Sequence, residues 1–366
     1  MSNAYNNWCP EVYRSLYVDR YNDNQLRVAP CCQATMHTVP VENFDFSTNE
    51  YLQSIRQQFA DGKKPLACSR CWQDESVGRK SRRLSAIEFF KLPTESDTVI
   101  LESVDYSATW ACNLGCIMCG PENSSTWATE LNMSQQSLSA MGRKFQKQNK
   151  LFDYLDLSGI KKIHFNGGEP MLNNDQSTIL KSIDLSNAFI SYNTNGTVYP
   201  DSDIINLWEK TKLVKLFFSV DATDTAFEYI RYPGKWNTLV NNIKTMRKEL
   251  PGNVMFGFNV TVGNYNVLEM PLVYEWFMEN LSTNREGDTS DFCWQLAYNY
   301  NVTDLLPLAK QEAISTLSSI DQFSGLVKIL KSTISSHNDN WIQQLNQIDQ
   351  RRNTSWQESL QIGKYY

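Results

Sequence analysis

Cys112, Cys116 and Cys119 follow one another at the spacing C-x3-C-x2-C, and no fourth cysteine comes close behind them. A closed structural zinc site takes four ligands and usually builds them from two C-x2-C-like pairs. A 4Fe–4S cluster on three thiolates leaves one iron without a protein ligand. That iron can bind a small molecule and pass it an electron. Two other readings stay open: three buried apolar thiols, or a zinc site completed by a distant ligand.

A second set, Cys9, Cys31, Cys32, Cys68 and Cys71, lies upstream. Cys68 and Cys71 form a C-x2-C pair, and Pro30-Cys31-Cys32 ends an expected hairpin. Five cysteines for four positions leave one spare, with Cys31 and Cys32 as alternatives. Four-cysteine zinc sites use the same pairs. Cys293 falls in an expected strand and reads as a core residue. In a reducing compartment, nine cysteines are better explained by ligation than by disulfides.

Three further motifs could hold a small polar ligand. In Asn166-Gly167-Gly168-Glu169-Pro170 the glycines remove the Cβ that blocks close approach. Glu169 is a strong acceptor for an ammonium group. Ser219 and Asp221 carry a hydroxyl and a carboxylate, both able to bond polar ligand groups. Arg231 on its own reads as a surface ion pair. The 3 histidines do not suggest a metallohydrolase or a Ser-His-Asp enzyme. His164, inside an expected strand, reads as a hydrogen-bonded structural residue.

These residues need a frame. "SLYVDRYNDNQLRVAPCC" reads as two strands around a turn at Asn22-Asp23-Asn24. A helix is expected over Asn49 to Phe59. From about residue 100, strands and helices alternate. Strands are expected at Glu102–Trp110, Lys162–Asn166, Phe189–Asn193, Lys215–Val220, Val254–Val262 and Phe292–Tyr298. Such alternation argues for a parallel sheet covered by helices. Six units are too few for an eight-stranded barrel, so an α/β partial (βα)6 barrel is expected. Its ligands bind at the carboxyl ends of the strands, where Cys112 falls. The tail from about Thr303 reads as a helical cover.

With 10 Trp, 17 Tyr and 17 Phe, the chain can fill a core. The formal net charge of −6 does not suggest a broad nucleic-acid surface. The basic run Arg79 to Arg83 reads as a solvated loop face. No stretch resembles a signal peptide or a membrane span, so a cytoplasmic location is expected.

The cysteine run, the Gly167-Gly168-Glu169-Pro170 turn and Ser219/Asp221 together resemble the radical S-adenosylmethionine (SAM) enzymes. The resemblance implies that the open iron chelates the amino and carboxylate groups of SAM. Glu169 then holds the ammonium, Ser219, Asp221 and Asn195 meet the ribose, and Arg231 reaches the carboxylate. The strand Phe258 to Val262 runs past the adenine. Met118 stands where the family usually has an aromatic residue, and its thioether can still pack on a ring. Reductive cleavage of SAM to methionine and a 5′-deoxyadenosyl radical is the activity implied.

The upstream cysteines resemble the twitch/SPASM type of auxiliary cluster domain, which in most such enzymes follows the core. Here it precedes it, and a second 4Fe–4S cluster is implied. The expected division is an auxiliary domain over 1–99, the core over 100–300 and a helical extension over 301–366. A low-potential donor such as a flavodoxin or ferredoxin is implied as partner. The expected substrate is a peptide or protein side chain, with no nucleic acid and no membrane. A nucleotide, an RNA, or a small alcohol or sugar is the alternative substrate. A non-catalytic iron–sulfur or zinc module is a third reading, but it has no need of a SAM pocket.

Overall fold

The computed structural model describes residues 7–20, 25–76, 80–91, 97–140, 155–173, 175–283, 290–333 and 339–366. The expected turn at Asn22–Asn24 and residue Arg79 lie outside these. The chain forms two compact units: 1–110 with 133–192 and 202–214, and 111–132 with 193–201 and 215–366.

In the first unit, β1 (Ser15–Arg20) and β2 (Gln25–Ala29) pair antiparallel, as expected for the hairpin. β3 (His37–Pro40) adds to β2. On its other side β1 runs parallel to β4 (Ser103–Thr109), joining the upstream segment to the strand before the cysteines. β5 (Lys162–Gly167) is parallel to β4, and β6 (Phe189–Thr194) is parallel to β5.

Alternation divides the two faces of this sheet. Val104, Tyr106, Ile163, Phe165, Ile190 and Tyr192 are fully buried. Their rings interlock: Phe165 stacks on Tyr192 at 4.9 Å, and Trp208 donates through Nε1 to Tyr192 Oη at 3.0 Å. The opposite face carries Tyr17, Asp105, Ser107, His164, Asn166 and Ser191. A parallel sheet packed on both faces reads as continuous apolar runs. Polar residues on one face mark a surface kept for something other than core.

The basic run is not a solvated face where it is described. Ser81 caps the helix Arg82–Phe90 by accepting from Leu84 N at 3.2 Å. Arg83 is buried and bonds Glu75 and the Trp8 carbonyl. Arg82 lies between Glu11 and Asp105, at 2.7 and 2.8 Å. Acidic partners inside the fold draw both side chains inward.

The second unit holds the cysteine loop, the helix Ser125–Glu130, β8 (Val254–Val262) and β9 (Asp291–Leu296), with the latter two parallel. β7 (Leu213–Phe218) enters it from the chain of the first unit. Helices Asp224–Ile230, Trp236–Glu249 and Met270–Asn280 connect these strands. From β4 to β9 the order of elements is that of the expected α/β core, and the region after 301 is helical. Cys293 lies on β9 as expected, but it is exposed. Phe292 takes the buried side of that strand, and the period of two turns its neighbour outward. Among the described residues, no helix is long and apolar enough to cross a membrane.

Phe165→Ala removes the ring between Tyr106 and Tyr192. We expect a loss of about 3–5 kcal/mol, read as a lower midpoint in urea unfolding.

Candidate functional site

The loop from Cys112 to Cys119 has little regular structure, and side chains of the helix that follows hold its backbone. Ser125 Oγ accepts from Cys112 N at 3.0 Å, and Thr126 Oγ1 donates to Cys112 O at 2.7 Å. Ser124 Oγ donates to Leu114 O at 2.6 Å, and Trp127 Nε1 to Cys116 O at 2.8 Å. The carbonyls of Cys112, Leu114 and Cys116 are thus engaged behind the loop. Cys116 is buried, while Cys112 and Cys119 are half-buried. Burial pushes the Cys119 thiol up to about 12, and the Cys116 sulfur adds to the shift. Deprotonated sulfurs this close repel one another unless cations sit among them, which is the donor set an iron–sulfur cluster takes.

A second stretch of backbone lies along this loop. Gly115 N donates to Tyr232 O at 2.6 Å, and Ile117 N to Ile230 O at 2.9 Å. Arg231 lies between these two acceptors. Its Nη2 donates to Asp221 Oδ2 at 2.6 Å, and its Nη1 points at Cys116 Sγ, 3.7 Å away. Asp221 is fully buried, and its Oδ1 accepts from Thr261 N at 2.7 Å. Burial works against the Arg231 charge, but Asp221 and Cys116 outweigh it and hold the guanidinium protonated.

Asn195 is buried, donates to Asn113 Oδ1 at 2.9 Å, and accepts from Thr197 N at 2.9 Å. Gly196 follows with φ +71°, and a Cβ there would meet Leu239 at 2.5 Å, so the turn needs glycine. Ser219 is half-buried, and its backbone N–H donates to Thr194 O at 2.8 Å. Met118 is half-buried between two cysteines of the loop. Thus Cys112, Cys116, Cys119, Met118, Asn195, Ser219, Asp221 and Arg231 all belong to the second unit.

The Gly167-Gly168-Glu169 turn belongs to the first unit, at the carboxyl end of β5. Gly167 has φ +110°, a conformation that glycine adopts freely. Glu169 is fully buried, and its carboxylate accepts from Met171 N at 3.0 Å, capping the short turn Pro170–Leu172. A buried carboxylate at the end of a parallel strand stands where ligands of such sheets bind.

Residues 106–275, from the middle of β4 to the helix after β8, match the family model of the Radical SAM superfamily. Over that stretch the chain carries a Radical SAM domain. The match implies a 4Fe–4S cluster and SAM as cofactors. Among solved structures, the chain is similar to native anSMEcpe with bound AdoMet, at 17% identity and TM-score 0.39, over 64% of each chain. It is also similar to Streptococcus suis SuiB bound to the precursor peptide SuiA, at 12% identity and TM-score 0.38, over 88% of this chain and 76% of that one. No curated protein sequence matches it.

The upstream cysteines separate into four and one. Cys9, Cys31, Cys68 and Cys71 line one cavity in the first unit, with Glu11, Phe59 and Arg83 beside them. Burial raises the Cys9 thiol, and the charges of Glu11, Cys68 and Cys71 raise it further. Cys32 is not part of that lining. It is exposed, and Arg82 Nη1 donates to its sulfur at 3.2 Å. Among the described residues, no three His, Cys, Asp or Glu side chains are grouped so as to hold a single metal ion.

Sequence reasoning missed two features. Arg352, at the end of the helix Asn340–Arg352, donates to Gly115 O at 2.7 Å and pairs with Glu130 at 2.9 Å. Its guanidinium also lies over the rings of Trp127 and Tyr232, at 4.6 Å from each. No local signal marks an arginine that far along the chain. The second is the lateral row Asp105–His164–Ser191 on the polar sheet face, which the strand registers align. His164 Nδ1 and Ser191 Oγ are 2.8 Å apart. Burial lowers the His164 pKa to about 4, despite the opposing charge of Asp105, so the imidazole is neutral at pH 7.

Arg352→Ala removes one partner of a mostly buried pair, a change that costs about 3–5 kcal/mol. We expect the variant to lose iron to a chelator faster than wild type, with Arg352→Lys between them.

Proposed function

We propose that this protein is a radical SAM enzyme that reductively cleaves SAM and abstracts hydrogen from a peptide or protein side chain. The observation that carries the reading is the second unit's loop, with three thiols and no fourth, fixed from behind by Ser124, Ser125, Thr126 and Trp127. When bound, the cluster and SAM supply a 5′-deoxyadenosyl radical from an electron delivered by a low-potential flavodoxin or ferredoxin.

The chain's own residues have separate tasks. Cys112, Cys116 and Cys119 hold the cluster. Glu169 accepts from the SAM ammonium, for which a buried carboxylate is well suited. Asn195 and Ser219 serve the ribose, with Asp221 holding the strand ends together beside them. Arg231 has an Nε–H with no hydrogen-bond partner among the described residues, and it serves the SAM carboxylate. Met118 packs toward the adenine.

Cys9, Cys31, Cys68 and Cys71 hold a second 4Fe–4S cluster, with Cys32 excluded. Full ligation by four thiolates leaves no iron open, so this cluster serves electron transfer rather than SAM binding. The polar face of β1, β4, β5 and β6 suits a substrate with hydrogen-bonding groups. His164 and Ser191 are neutral donors and acceptors, and Asp105 is compensated by Arg82. The domain limits at 99/100 and 300/301 and a cytoplasmic location complete this reading. A zinc staple at the four upstream cysteines is the competing reading, because zinc takes the same ligand set.

Three measurements test it. Anaerobically reconstituted protein should convert SAM to 5′-deoxyadenosine, and replacing Cys112, Cys116 and Cys119 by Ala should abolish the product; persistence in that variant sinks the reading. Glu169→Ala removes a charge-assisted hydrogen bond worth about 1.5–3 kcal/mol, so SAM affinity should fall by about one to two orders of magnitude with the cluster intact. Wild type should carry about eight iron per chain, the Cys68→Ala/Cys71→Ala variant about four, and Cys32→Ser about eight. Stoichiometric zinc with about four iron in wild type would instead establish the staple.

A further inference from the structure

Arg231 has a contact that SAM binding does not require. Its Nη1 is 3.7 Å from Cys116 Sγ, within reach of an N–H···S hydrogen bond. This approach is built rather than incidental. The flanking carbonyls of Ile230 and Tyr232 accept from Ile117 N and Gly115 N, so two backbone bonds register residue 231 against residue 116. The far side of the guanidinium is anchored by Asp221 at 2.6 Å. Asp221 is itself fixed, its Oδ1 by Thr261 N and its carbonyl by Asn266 Nδ2 at 2.9 Å. The two side chains are 9% and 0% exposed, so water does not screen the charges.

We infer that Arg231, held in place by Asp221, donates a hydrogen bond to the cluster-ligating sulfur of Cys116 and sets the reduction potential of the core cluster. The inference rests on the proposed ligation of that cluster by the cysteine loop. Reduction adds one negative charge to the cluster and its thiolates. A cation and a donor at a ligating sulfur stabilise the reduced state more than the oxidised one. Hydrogen bonds to the sulfurs, net charge and exposure are the levers that set such potentials. Asp221 acts through Arg231: it holds the fork in place and offsets part of its charge. Both are positioning residues.

The sign of the effect separates this role from a strut. Redox titration of the full chain is followed by the reduced electron paramagnetic resonance signal that added SAM perturbs, since only a cluster with an open iron responds to SAM. Arg231→Gln should shift that potential negative. Arg231→Lys, which keeps the charge, should shift it less. Asp221→Asn removes the offsetting charge and should shift it positive, so opposite signs from the two ends of one ion pair are the expected result. Equal potentials at full iron content overturn the inference while leaving the proposed function standing. Loss of iron from Arg231→Gln also overturns it, by making the arginine a support for the loop. If Arg231→Gln does not fold, Asp221→Asn decides alone: a positive shift supports the inference and no shift overturns it. A wild-type protein that takes up no SAM-responsive cluster overturns both.

Discussion

An arginine buried beside a cysteine sulfur requires an anion, and in the second unit that anion is Asp221. Two charges removed from water cost several kcal/mol each, unless their geometry and remaining hydrogen bonds are close to ideal. Here they are nearly so. Asp221 spends one oxygen on Arg231 and the other on the Thr261 amide. The carboxylate thereby ties the end of β7 to the end of β8, and through Arg231 both strand ends reach the cysteine loop. The loop lacks regular structure of its own, so its shape depends on these connections and on the side chains of Ser125–Glu130 behind it.

The first unit depends on a different constraint, the two-residue alternation of its parallel strands. One face is sealed by Tyr106, Phe165, Tyr192 and Trp208, whose rings exclude water and fix the strand registers. Once register is fixed, every second residue is carried to the other face, with Asp105, His164 and Ser191 at one level. The glycine turn and Glu169 follow on β5 itself, a few residues beyond His164. Packing on one side therefore decides where polar groups stand on the other.

Local patterns in the sequence made some of this legible. The spacing of Cys112, Cys116 and Cys119, the turn before Pro170 and the strand Val254–Val262 are carried by residues close together in the chain. What stayed hidden depends on long-range contacts. The parallel pairing of β1 with β4 joins Ser15 to Ser103, and no turn signal encodes it. Arg352 reaches a carbonyl 237 positions away. Arg82 and Arg83 looked like solvated charges because their acidic partners, Glu11, Asp105 and Glu75, are visible only once the chain is folded. Spacing could not choose between Cys31 and Cys32, since adjacent residues point apart and only one of the two lines the cavity. Cys293 failed for a related reason: strand content alone does not say which face is buried.

The charge distribution completes the argument. The chain is acidic as a whole, at a formal −6, yet the described neighbours of the cysteine loop include two buried arginines, Arg231 and Arg352. Arg231 pairs with Asp221, and Arg352 pairs with Glu130, which Arg351 shares. An exposed cation would be screened by salt within about 8–10 Å. A buried one acts on its neighbours through a medium of lower dielectric, where the same separation carries several times the energy. Deprotonated for ligation, the three thiols of the loop would concentrate negative charge that the overall acidity would only aggravate. Positive charge fixed in the fold, rather than recruited from solution, would offset that charge in an acidic protein.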